Sequence, residues 1–78
     1  MTVATARSYV EGPRWAGIKQ ALFDAAVAAD VHIEFDREDK GLIRTTVWYS
    51  VSGTASAVER FRAIVAEAVA RYGKGVRG

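Results

Sequence analysis

The chain has no cysteine and one histidine, His32. A disulfide framework is therefore excluded, as are a thiol nucleophile and an all-histidine metal site. Asparagine is absent and proline occurs once, at Pro13. No apolar run approaches the roughly eighteen residues needed to span a bilayer. The opening residues, Met1 to Arg7, lack the basic start and apolar stretch of a secretory signal. The expectation is a cytoplasmic protein with no membrane partner. An excess of one charge is also missing: 11 basic against 9 acidic side chains leave +2, which neither demands nor excludes a nucleic-acid partner.

What is present is half hydrophobic and 26% charged, the composition of a globular domain. A chain of 78 residues makes one domain and buries only about 60% of its unfolded surface. With disulfides excluded and no evident metal site, self-association is the remaining ordinary route to stability.

The organising stretch runs from Val31 to Ser52. Val31-His32-Ile33-Glu34-Phe35-Asp36 alternates apolar and polar residues, the pattern of a strand with one buried face. Arg37 to Gly41 reads as a charged loop, and Leu42 to Ser52 is rich in the β-branched and aromatic residues that suit a second strand. Together they predict a hairpin. Thr2 to Glu11 predicts a first strand with Ala4, Ala6, Ser8 and Val10 facing the core, stopped at Gly12-Pro13.

From Arg14 to Asp30 the period changes to that of a helix, with Trp15, Ile18, Leu22, Ala25, Ala26 and Ala29 on one face. Phe23 and Val27 fall off that face as a second apolar strip. Thr54 is a good N-cap for a second helix and Ser56-Ala57-Val58-Glu59 also matches a capping box, which leaves its start open by a turn; its stripe is Val58, Phe61, Val65, Ala68, Val69 and Tyr72, with Ile64 off it. Gly73 suits its end. Residues 1–73 form one α+β domain in this reading, and residues 74–78 a flexible tail.

The order β-α-β-β-α predicts a two-layer sandwich, a three-stranded sheet with both helices on one face. With strand one beside strand three the order is 1-3-2; 1-2-3 is the alternative. Val51-Ser52-Gly53-Thr54-Ala55-Ser56-Ala57-Val58-Glu59-Arg60-Phe61 resembles the strand-to-helix junction of ferredoxin-like proteins, acylphosphatases among them. The plan is then ferredoxin-like without its last strand. Acylphosphatase chemistry also needs a phosphate-cradling loop and an asparagine to position water. Here proline removes a cradling N–H in Val10-Glu11-Gly12-Pro13-Arg14, and no asparagine exists. The metal-carrier domains of the same plan need a Cys-x-x-Cys pair, also missing.

Two surfaces could carry function. With Ile33 and Phe35 inward, His32, Glu34 and Asp36 line the outer sheet face. Same-face neighbours about 7 Å apart let one metal reach two of them at most, so the expectation is no metal and no cofactor. Arg44, Thr46, Trp48 and Ser50 share that outer face, where an exposed tryptophan near an arginine is either an interface anchor or a stacking platform. The leading expectation is a non-catalytic homo-oligomer, most simply a dimer, that binds through Trp48, Arg44, Thr46, His32 and Glu34, with Phe23 and Val27 available to a further protein partner. The alternatives are a nucleic-acid module using Trp48, Arg44 and the basic Arg71, Lys74 and Arg77, and a dimeric enzyme with a pocket at His32 and Glu34.

Overall fold

A computed structural model describes residues 3–73 and 75–78. The elements are β1 (Ala4–Pro13), a 3₁₀ turn (Arg14–Ala16), α1 (Ile18–Ala29), β2 (His32–Lys40), β3 (Arg44–Gly53) and α2 (Ala55–Tyr72). The sheet order is β1-β3-β2, both pairs antiparallel. This is the expected α+β sandwich with strand one beside strand three, and the 1-2-3 order is ruled out.

β3 is central because it alternates most cleanly. Thr45, Val47, Tyr49 and Val51 are buried on the helix side, while Thr46, Trp48, Ser50 and Ser52 are half-buried on the other. The core closes where Leu22 and Ala26 of α1 and Phe61 of α2 meet this row. Phe61 is 1% exposed and sets its ring edge-on to Tyr49, with centroids 5.7 Å apart. α2 starts as expected: the Thr54 hydroxyl accepts the Ala57 N–H at 3.1 Å, and the Gly73 N–H returns to the Val69 carbonyl.

Several expectations are corrected. The first strand runs through Pro13 rather than stopping at Glu11, and Thr2 lies outside the described residues. Pro13 is the strand's last residue. The first helix begins at Ile18, not Arg14, because Gly17 takes a left-handed φ of 64° that separates it from the 3₁₀ turn. Trp15, placed on the buried face by helical periodicity, is 74% exposed as a result.

Arg37 to Lys40 is not loop. β2 continues to Lys40, and the connection is Gly41 to Ile43, closed by the Gly41 N–H on the Arg44 carbonyl at 2.7 Å. Ile43, expected within the strand from Leu42 to Ser52, is 63% exposed because it lies in that connection. A β-bulge at Asp36 shifts the register between Phe35 and Arg37. Beyond it Arg37 and Asp39 face outward, whereas Glu38 and Lys40 lie opposite the buried Val47 and Thr45. There Glu38 pairs with Lys19 of α1 at 3.8 Å.

Ile33 and Phe35, expected to face inward, and Val65, expected in the stripe of the second helix, are only half-buried. The first two sit on β2, which among the described residues has no neighbour on its outer side, and Val65 lines open grooves on both sides of α2. Ile64, expected off the stripe, packs against the core, while Ala68 and Tyr72 are exposed.

The residues after α2 run back along β1. Arg77 exchanges both backbone bonds with Glu11, at 2.7 and 2.8 Å, in an antiparallel bridge. Gly12 permits this approach, since a Cβ there would stand 3.1 Å from Val76 and 3.2 Å from Ile18. Lys74 is outside the described residues.

Candidate functional site

The helices cover one face of the sheet, leaving the other without a layer of its own among the described residues. The register builds that outer face in rows. Tyr9, Trp48 and Arg37 form one row; Glu11, Thr46 and Asp39 the next; Arg7, Ser50 and Glu34 a third; Thr5, Ser52 and His32 the last. Trp48 is thus flanked on both sides. The Arg37 guanidinium lies over its ring, 4.7 Å from the centroid, and Tyr9, 44% exposed, stands directly opposite on β1. A cation over an indole face is attracted by the ring quadrupole, by roughly 0.5–1 kcal/mol at an exposed site.

The arginine at Trp48 is therefore Arg37, which sequence reading placed in a loop, and not Arg44. Arg44 lies two residues along β3 from Thr46, where its guanidinium pairs with Glu11 at 3.3 Å and donates to the Gly75 carbonyl at 2.8 Å. It ties β3, β1 and the returning C-terminal segment together. No sequence signal marks Arg37 except the charged run itself, because the bulge that turns it outward has no glycine to announce it.

His32 and Glu34 do lie together on the outer face, 3.3 Å apart and each about 70% exposed. Asp36, at the bulge, accepts a hydrogen bond from the Ser50 hydroxyl. Among the described residues no three histidine or acidic side chains converge as a metal site would require. Phe23 and Val27, 50% and 65% exposed, belong to the opposite, helical side of the molecule and do not join the Trp48 row.

Two grooves flank α2. One, of 390 Å³, lies between the helices and is almost wholly apolar, with Leu22, Ile64, Val65 and Val69 among its walls. The other, of 570 Å³, lies between α2 and the free side of β1. Ala6 and Ser8 border it on the strand, Ala66 and Ala70 on the helix, and Phe61 and Tyr49 form part of its floor. Burial there pushes the Tyr49 phenol above its ordinary pKa of 10.0, with the Ser8 hydroxyl and Arg62 opposing weakly.

No protein-family model matches the chain. No curated protein sequence matches it either. Among solved structures, it is similar to the ligand-free regulatory subunit of aspartate kinase from Thermus thermophilus, with a TM-score of 0.51 and 20% identity over 86% of this chain. The chain spans 50% of that subunit's length. At this identity the likeness shows the α+β fold alone. Among the described residues, no helix is long and apolar enough to cross a membrane.

Proposed function

We propose that the chain is a small non-catalytic binding domain that works as a homo-oligomer, with the sheet as its interacting surface. The observation that carries the reading is the row Tyr9–Trp48–Arg37, a large aromatic and cationic surface on a sheet face that no part of the described chain covers. Paired aromatics and arginine are the residue types that anchor protein interfaces. The fold neighbour carries the name of a regulatory subunit, which accords with a binding or regulatory role and not with catalysis.

The nucleic-acid alternative has less support. Arg37 already occupies the face of Trp48 that a base would need, and Glu11, Glu34, Asp36 and Asp39 place four carboxylates on the same surface. Set against Arg7, Arg37 and Arg44, these carboxylates leave the face without the net positive charge that phosphate binding draws on. An enzyme built on His32 and Glu34 would have only a small, open depression of 250 Å³ between β1, β3 and β2, with both side chains about 70% exposed, less enclosed than a small-molecule site usually is.

Self-association makes stability depend on protein concentration, because the folded oligomer is favoured by mass action. The urea midpoint should rise as the protein is taken from one to tens of micromolar. An invariant midpoint over that range contradicts the proposal.

A further inference from the structure

Resting on that self-association, we infer that the second copy packs face to face on the outer side of the sheet, with the two-fold axis running along β3. Each β1 then lies over the β2 of the other copy. The distribution of charge across the face carries this geometry. On the β2 side Glu34, Asp36 and Asp39 stand against Arg37, three carboxylates to one guanidinium, which leaves −2. On the β1 side Arg7 and Arg44, whose guanidinium lies 3.3 Å from Glu11, stand against that single carboxylate and leave +1. Between the halves runs an uncharged row of β3: Thr46, Trp48, Ser50 and Ser52.

Most of these charges are not spent within the chain. Among the described residues the ion pairs are Lys19 with Glu38, His32 with Glu34, Arg44 with Glu11 and Arg71 with Glu67. Arg7, Asp36, Arg37 and Asp39 enter none of them, and all four side chains are exposed. Glu34 has only a histidine beside it, and both are about 70% exposed.

A face with unlike halves is complementary to its own copy, as a two-fold interface must be, but only about one axis. An axis across the strands stacks β2 on β2 and sets the two −2 halves together at every register. Like charges in apposition cost affinity. An axis along β3 stacks each β2 on the copy's β1. It also leaves height along the strand unchanged, so every row lies over the same row of the copy. Arg7 then meets the copy's Glu34, Arg37 meets its Tyr9, and Trp48 meets Trp48 at the axis. Sheets packed face to face stand about 10 Å apart, a gap that an arginine and a glutamate bridge together. One row sets like charges together, Glu11 against the copy's Asp39, and there Arg44 offsets Glu11. A polyanion matches only the β1 half and a basic partner only the β2 half. A second copy matches both.

Charge exchange tests the axis. At a concentration where the wild type sediments as a dimer, Arg7→Glu and Glu34→Arg, both at exposed positions, should each weaken association by about tenfold or more. Two attractive contacts per dimer become repulsive in each variant, at a few tenths of a kcal/mol or more per change. An equimolar mixture of the two variants should recover a heterodimer of near wild-type affinity, because each then supplies the charge the other needs. The double variant should recover a homodimer for the same reason. Recovery in the double variant without recovery in the mixture marks a contact within one chain and overturns the inference. Either single variant associating like the wild type overturns it too. Both results leave self-association standing, whereas a monomeric wild type overturns both. If a reversal does not fold by its far-UV spectrum, Arg7→Gln and Glu34→Gln decide, each expected to lose about threefold in affinity; no loss in either overturns the pairing.

Discussion

Replacing Phe61 by alanine probes the packing on which the whole sandwich depends. The side chain is 1% exposed, meets Tyr49 edge-on at 5.7 Å, and lies in the core with Val47 and Val51. Truncating a buried phenylalanine costs about 3–5 kcal/mol, of which the aromatic pair accounts for roughly 0.5–1.5 kcal/mol. Phe61 also forms part of the floor of the β1–α2 groove, so the space left behind opens onto that groove and cannot collapse onto a packed wall. A domain of this length has a total stability of about 4–12 kcal/mol. The loss is therefore a large fraction of the whole. With a urea dependence of about 1–2 kcal/mol per molar, the midpoint should fall by roughly 2 M or more at fixed protein concentration. A loss below about 1 kcal/mol would refute the placement of α2 over the sheet.

Three further outcomes follow from local geometry. Burial raises the Tyr49 pKa above its unfolded value, so its contribution is complete below pH about 10 and is lost as pH rises beyond it; Tyr49→Phe should blunt alkaline destabilisation above pH 10, and an unchanged alkaline limb contradicts this. Gly17 has φ 64° with nothing near an added Cβ, so Gly17→Ala should cost about 1 kcal/mol through backbone strain alone; equal or greater stability in urea would deny the left-handed turn. Arg37→Ala should shift Trp48 emission by uncovering the indole, while single-stranded oligonucleotides at low salt leave wild-type fluorescence unchanged; the reverse pair of results supports the stacking platform instead.

The sandwich was legible in the sequence because its central pieces obey simple periods. β3 alternates without interruption from Thr45 to Ser52, and Thr54 to Phe61 carries both a cap and the beginning of a helical stripe. The errors fall where backbone geometry departs from those periods. Trp15 fits the α1 stripe by spacing, yet Gly17 breaks the helix between them, and that glycine was the available signal. The run Arg37 to Lys40 has loop composition, but strand pairing uses backbone groups and tolerates charged side chains on an edge, where they also discourage aggregation. The bulge at Asp36 then exchanges faces for all that follows, putting Arg37, and not Arg44, at Trp48. Arg77 returned to β1 through a long-range backbone contact that five residues rich in glycine do not advertise.

The central claim is that this domain works as a homo-oligomer through its sheet, and the solution mass of the unmodified chain tests it most directly. Sedimentation equilibrium at tens of micromolar should return twice the 8.5 kDa chain mass, falling toward the single-chain value on dilution as mass action requires. A mass of 8.5 kDa at every concentration would contradict the account.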